Sequence, residues 1–165
     1  MIGEAQIRAL HLALETVTPL YGDCGLRCGA ACCAPDEDGQ GGVHLFPGEE
    51  ALYRGADWAR IAPSGWIAEG RDVPMLVCGG TCPRLLRPLG CRIFPLAPRY
   101  KAGRVGIMMD YRARVMCPLA RFGVSALAPE FTGAVQAVLE ALDAAGEGGF
   151  LMEWEALSRR YRFSL

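Results

Sequence analysis

Hydrophobic residues recur at helical spacing near both ends of this 165-residue chain. The first stripe, whose members lie three or four positions apart, is Ile7, Leu10, Leu14 and Val17. It predicts a helix over residues 3–20 that packs one face on a core and is ended by Pro19 and Gly22. His11 lies beside this stripe, and we expect it to be exposed.

The second stripe predicts a helix that begins at Pro129, because proline is favoured in the first helical turn. Its apolar face comprises Phe131, Val135, Val138, Leu139 and Leu142. Gly146 ends this helix. A shorter helix over residues 150–161 is expected to follow, with Trp154 as a core aromatic residue.

The middle of the chain has shorter apolar runs, which are typical of strands. Two such runs flank a polar turn at residues 101–104 and predict a β-hairpin within residues 93–115. A short strand is expected over residues 43–46 and a short helix over residues 47–58. Residues 61–77 fit no single periodicity, so their structure is left open.

Eight cysteines occur in two groups, and the N-terminus does not resemble a signal peptide. Glu4 and Arg8 interrupt any apolar run there, and the chain lacks a stretch of about 18 uncharged apolar residues that could span a membrane. We therefore expect a cytoplasmic protein, with no membrane partner, whose thiols stay reduced. In that setting clustered cysteines indicate metal ligation. The predicted ligands are Cys24, Cys28, Cys32, Cys33, Cys78, Cys82, Cys91 and Cys117.

The spacing of the first group, Cys24-x3-Cys28-x3-Cys32-Cys33, favours a loop folded around a metal. A zinc ion holds its sulfur ligands about 2.3 Å away, and short gaps let one turn supply two of them. In extended backbone, the adjacent Cys32 and Cys33 would point to opposite sides. They would then face two different sites, or one of them would be a packing residue. The spacing does not assign the partners.

A basic segment surrounds the second cysteine group, although the formal net charge of the chain is only −1. Residues 78–121 contain nine arginine or lysine residues and one acid, Asp110. Four thiolates on one zinc leave a negative centre, and buried charge of that kind requires compensation. We therefore expect Arg87 and Arg92 to donate hydrogen bonds to the ligand sulfurs.

The segment Arg87-Pro88-x2-Cys91-Arg92-x-Phe94-Pro95 carries a family resemblance, together with Cys82 and the cluster that ends in Cys32-Cys33. It resembles the zinc- or iron-chelating cysteine-cluster (YkgJ-like) family, over the part of the chain from Cys24 to Cys117. The resemblance implies chelation of an iron–sulfur cluster or zinc, with no settled reaction for most members. A related cysteine-rich region occurs in flagellin lysine methylases.

Two other classes of function stay open beside a metal-binding protein of undefined cellular role. One is an enzyme of the methyl-transfer or redox type that uses the cluster; the sequence does not decide whether the protein is an enzyme. A weaker alternative is an arginine-rich nucleic-acid-binding module, since the sequence pI is about 6.1 and thiolates would use much of the basic charge. His44 is an alternative metal ligand. A protein partner is left open.

Together these patterns predict one α+β domain over residues 1–165. Residues 24–117 would form a small, irregular, metal-stapled core with a β-hairpin and long cysteine-bearing loops. Residues 1–20 and 129–161 would form flanking helices at the two termini.

Overall fold

Helices lie at both ends of the chain and strands lie between them. The computed structural model describes residues 2–39 and 41–163. The helices are α1 (Glu4–Ala13), α2 (Gly25–Cys28), α3 (Leu89–Ile93), α4 (Pro129–Leu142) and α5 (Gly148–Arg160). The strands are β1 (Gly41–His44), β2 (Ala59–Ala68), β3 (Arg71–Cys78), β4 (Leu96–Lys101) and β5 (Arg104–Met109). The predicted α+β class with helices at both termini is therefore confirmed.

The strands form two antiparallel sheets. One has the order β1-β3-β2, and the other is the hairpin β4–β5. The hairpin turns at Ala102 and Gly103, both with positive φ, which confirms the predicted turn at residues 101–104. Residues 61–77, which the periodicity left open, belong to β2 and β3. These strands join through Glu69 and Gly70, again both with positive φ, as a two-residue hairpin turn requires.

The two predicted apolar stripes meet in one hydrophobic core. Phe131, Val135 and Leu139 of α4 are fully buried, as is Ile7 of α1. Trp154 of α5 stacks on Phe46, with 4.6 Å between ring centroids. Full burial of each such side chain contributes roughly 1.5–3 kcal/mol. The core therefore draws on both ends of the chain, as the stripes predicted.

The first helix is shorter than predicted. It ends at Ala13, whereas the apolar stripe continues to Val17. Residues 16–18 are a β-branched run followed by Pro19, which disfavours helical backbone in the residue before it. The Thr18 hydroxyl instead donates to the carbonyls of Leu20 and Gly22 and closes a turn.

A buried polar cluster centres on Glu49, and it changes two predictions. The helix expected over residues 47–58 is only a 3₁₀ turn, Glu49–Tyr53, entered through a left-handed Gly48. His11 is buried, and its Nε2 atom lies 2.9 Å from a carboxylate oxygen of Glu49. The expectation that His11 is exposed was therefore wrong: a buried partner on another element was not visible in the local pattern.

Helix length also bears on membranes. Within residues 2–39 and 41–163, none of the helices is both long and apolar enough to span a bilayer.

Gly90 allows α3 to lie against β1 and α5. A methyl group at this position would lie 2.6 Å from Cγ2 of Val43 and 3.3 Å from the Trp154 ring. We expect Gly90→Ala to reduce the free energy of unfolding by about 1–3 kcal/mol through overpacking, as measured by urea denaturation. Gly133→Ala is the matched control in α4, where the added methyl group contacts nothing within 4 Å. The control should be neutral or stabilising; equal losses in both variants would contradict this account.

Candidate functional site

The first cysteine group folds into two short helical turns and not into the irregular loop that its sequence suggested. Cys24 directly precedes α2 and Cys28 ends it, so the x3 gap becomes one helical turn with both cysteines on the same face. The Cys28 sulfur lies 3.6 Å from the Cys24 carbonyl oxygen. Left-handed Gly29 and Ala30 then reverse the chain into a 3₁₀ turn, Ala31–Cys33.

These turns line a cavity of about 100 Å³, which we call the thiol cavity. Five cysteines from distant parts of the sequence contribute to its wall: Cys24, Cys28, Cys32, Cys91 and Cys117. Cys91 is held there by α3. Apolar side chains that include Leu14, Phe94 and Leu119 complete the wall, with Arg84 and Arg87 among the charged members.

A second cavity of about 200 Å³ adjoins the first, and we call it the His44 cavity. Cys32, Cys91 and Arg87 line both cavities, and Cys33 lines only the second. His44, Arg112 and Trp154 form much of the remaining wall.

Arg87 lies among the cysteine segments. Its guanidinium is close enough to Cys82, Cys33 and Cys91 to interact electrostatically with all three. Its Nε atom is buried and has no hydrogen-bond partner in the described part of the chain. Three indole N–H groups are likewise buried without a partner there, those of Trp58, Trp66 and Trp154. Unlike them, the Nε atom of Arg87 belongs to a cation among thiols, so it is a donor available to a thiolate.

Arg92 lies in the same region, but its donors are used differently from the expectation. Nε donates to the carbonyl of Arg87 at 2.7 Å, and Nη2 donates to the carbonyls of Arg84 and Leu85. Nη1 lies 3.4 Å from the carbonyl of Leu14. Arg92 therefore ties the segment before α3 to the end of α1, and its hydrogen bonds go to the main chain.

Burial and neighbouring side chains shift the pKa of several thiols that line the two cavities. Burial raises the pKa of Cys91, and burial together with the neighbouring Cys28 raises the pKa of Cys24. Cys32 and Cys33 form a hydrogen-bonded pair, which lowers the pKa of Cys33 to about 6 and raises that of Cys32. The pair is close together because the backbone is a 3₁₀ turn and not extended, so the two side chains do not point to opposite sides.

His44 is a wall residue of the second cavity. Burial, together with the charge of Arg112, lowers its pKa to about 4, so the ring is neutral at pH 7. It packs edge-on against Trp66, with 4.9 Å between ring centroids. A neutral imidazole is the form that can bind a metal or accept a hydrogen bond.

Cys78 and Cys82 are the two cysteines that line neither cavity. Cys78 ends β3, where it pairs with Gly41 and Ala59 in the sheet, whereas Cys82 lies beside Arg87. All eight cysteines are free thiols. In the described ranges, no three His, Cys, Asp or Glu side chains are already arranged to hold a metal ion.

Two further residues lie beside the site: Glu49, which the sequence did not indicate, and Arg112, one of the two residues expected to pair with Asp110. Glu49 accepts a hydrogen bond from the backbone N–H of Leu89, the first residue of α3, at 2.6 Å. Arg112 is fixed by Asp110, with 2.6 Å between Nη2 and a carboxylate oxygen. Asp110 caps the 3₁₀ turn Tyr111–Val115 and also accepts the backbone N–H of Arg112, so the latter pair is local in sequence, whereas Glu49 meets α3 only through the fold.

Comparisons with known proteins add no relatives: no protein-family model, curated protein or solved structure matches this chain.

Proposed function

We propose that this protein holds a thiolate-bound metal centre, an iron–sulfur cluster or zinc, at the cysteine residues around Arg87. The observation that carries the proposal is that seven cysteines lie around one arginine, whose buried Nε atom has no partner among the described residues. The cysteines come from α2, the 3₁₀ turn after it, α3 and two loops. The residues are Cys24, Cys28, Cys32, Cys33, Cys82, Cys91 and Cys117.

The chemistry of these side chains fits a metal. Thiols are soft ligands that bind zinc and iron–sulfur clusters as thiolates. Thiolates in a partly buried cavity need positive charge nearby, and both the metal and Arg87 supply it. Without a metal, several protonated thiols would surround a cation whose Nε atom has no acceptor. A metal-bound thiolate or a cluster sulfide would supply that acceptor.

The number of cysteines bears on the kind of centre. A structural zinc takes four ligands, and an iron–sulfur cluster is also commonly held by four cysteines. Seven cysteines therefore allow one centre with cysteines to spare, or two centres that share the region around Arg87. We favour an iron–sulfur cluster because of the family resemblance and the irregular x3 gaps between the cysteines, with zinc as the alternative. Zinc would act as a structural staple, whereas a cluster would supply electron transfer or sensing.

Metal analysis of the natively isolated protein tests the proposal directly. We expect protein purified without oxygen or chelator to contain iron and acid-labile sulfide with broad visible absorption, or else stoichiometric zinc without colour. Removing the metal with a chelator should lower the melting temperature, because ligation and folding are coupled. A folded, stable protein that contains neither iron nor zinc would refute the metal centre.

A further inference from the structure

The His44 cavity has a wall that differs from that of the thiol cavity. Val43, Phe94, Met116 and Trp154 supply an apolar surface, and His44 and Arg112 supply polar groups. Small-molecule sites typically combine a mostly apolar wall with a few fixed polar groups. At about 200 Å³ the cavity is smaller than the roughly 300–1,000 Å³ of sites for drug-sized ligands. Its ligand would therefore be small, on the order of ten non-hydrogen atoms.

Arg112 is held rigidly at this wall. Its Nε and Nη2 atoms donate to the carboxylate of Asp110 at 2.6–3.1 Å. Asp110 is itself buried and also accepts from the Ser158 hydroxyl at 2.8 Å. The guanidinium carbon lies 5.3 Å from the centre of the Trp154 ring. Within the described residues, Nη1 of Arg112 has no hydrogen-bond partner and is left as a fixed donor.

The remaining polar groups near the cavity leave Arg112 as the donor for at most one negative charge. Asp110 neutralises part of the charge on Arg112, and Arg87, on the side shared with the thiol cavity, faces the thiols of Cys33 and Cys91. His44 is a neutral ring that can donate one hydrogen bond. One planar carboxylate matches an arginine donor and an imidazole donor, whereas a doubly charged phosphate or sulfate would need more donors.

We propose that the His44 cavity binds a small carboxylate with an apolar body, seated between Arg112, His44 and the Trp154 ring. The carboxylate group would accept from Nη1 of Arg112, and the apolar body would fill the space beside Phe94 and Trp154. Because Cys32 and Cys91 line this cavity as well, the ligand would lie beside the metal centre. This position beside a metal is the one part of the inference that rests on the proposed function.

Isothermal titration calorimetry on the anaerobically purified protein tests this inference, with benzoate and hexanoate as probes. At least one of them should bind, while sulfate and the neutral benzyl alcohol should bind at least tenfold more weakly. Arg112→Met should lower the affinity for the probe at least tenfold. Arg114→Met is the matched control, because Arg114 belongs to the same 3₁₀ turn and stacks on Tyr111. The control should bind like the unmodified protein.

Arg112→Met leaves the buried Asp110 without its cation and can impair folding. The double variant Asp110→Asn/Arg112→Met removes both charges together and should fold while still losing the probe. The inference is overturned if neither carboxylate binds, if sulfate binds equally well, or if Arg112→Met and Arg114→Met bind alike. Metal content is measured on the same samples. Arg112-dependent carboxylate binding without metal would refute the proposed function alone, whereas metal without carboxylate binding would refute this inference alone.

Discussion

Cys91→Ser should lose the proposed metal, together with most of the folding free energy that metal binding contributes. Cys91 lines both cavities and interacts with Cys33 and Cys82, so its sulfur is central to the group. A serine hydroxyl is a poor substitute because metals in such sites bind the deprotonated thiolate. Structural zinc contributes roughly 10–16 kcal/mol of binding free energy in small domains, comparable to the entire stability of a typical domain, about 5–15 kcal/mol. We therefore expect a variant without metal and with a markedly lower melting temperature.

Cys78→Ser is the matched control, because Cys78 lies at the end of β3 and outside both cavities. This variant should keep its metal and its melting temperature within a few degrees. Metal content by elemental analysis and thermal unfolding by circular dichroism are measured on both proteins. Full metal content in Cys91→Ser would remove Cys91 from the ligands, and loss of metal in Cys78→Ser would show that Cys78 belongs with the other seven.

Glu49→Gln should destabilise the protein by about 1–3 kcal/mol, the usual cost of leaving a buried hydrogen-bonding group without its partner. The Glu49 carboxylate is fully buried. Beyond His11 and Leu89, it accepts from the backbone N–H of Phe46 at 2.9 Å and lies 3.4 Å from the Tyr53 hydroxyl. A glutamine would place an NH₂ group against one of these N–H donors, so at least one buried donor would lose its acceptor.

Urea unfolding at pH 7 measures this effect, with Glu50→Gln as the control. Glu50 is the next residue in the same 3₁₀ turn but is only half-buried, so its substitution should cost less than about 0.5 kcal/mol. Because Glu49 also binds the first N–H of α3, we expect a weakened hold on Cys91 and reduced metal content in Glu49→Gln. Equal stability of the two variants would show that the buried cluster does not hold α3 in place.

The parts of the fold that could be predicted are those whose residues form a recognisable pattern over a short stretch of sequence. The apolar face of α4 and the polar turn at residues 101–104 each need only a short window of sequence, and the structure has both. The length of α1 was overestimated because the apolar stripe runs on past Ala13 although the backbone does not. In this case the β-branched residues before Pro19 carried information that the periodicity did not.

The sequence predicted which residues belong to the candidate site better than it predicted how they are arranged in space. Short gaps between cysteines indicate that their side chains lie close together. They do not show which way the end of a strand faces. Cys78 and Cys82 therefore had the same predicted role as ligands. Arg87 and Arg92 both lie near Cys91 in sequence and looked equivalent. In the fold, the Arg87 guanidinium lies beside the thiols, whereas that of Arg92 donates to carbonyl groups. Only tertiary structure decides between them.

The carbonyl contacts of Arg92 bear on how the proposed metal centre would be assembled. They close a ring around residues 84–92 and fasten it to the end of α1 without involving a sulfur atom. These contacts do not depend on a metal, so they would keep Arg87 and Cys91 in place if the metal were lost. Reloading with iron or zinc would then begin from this preorganised segment.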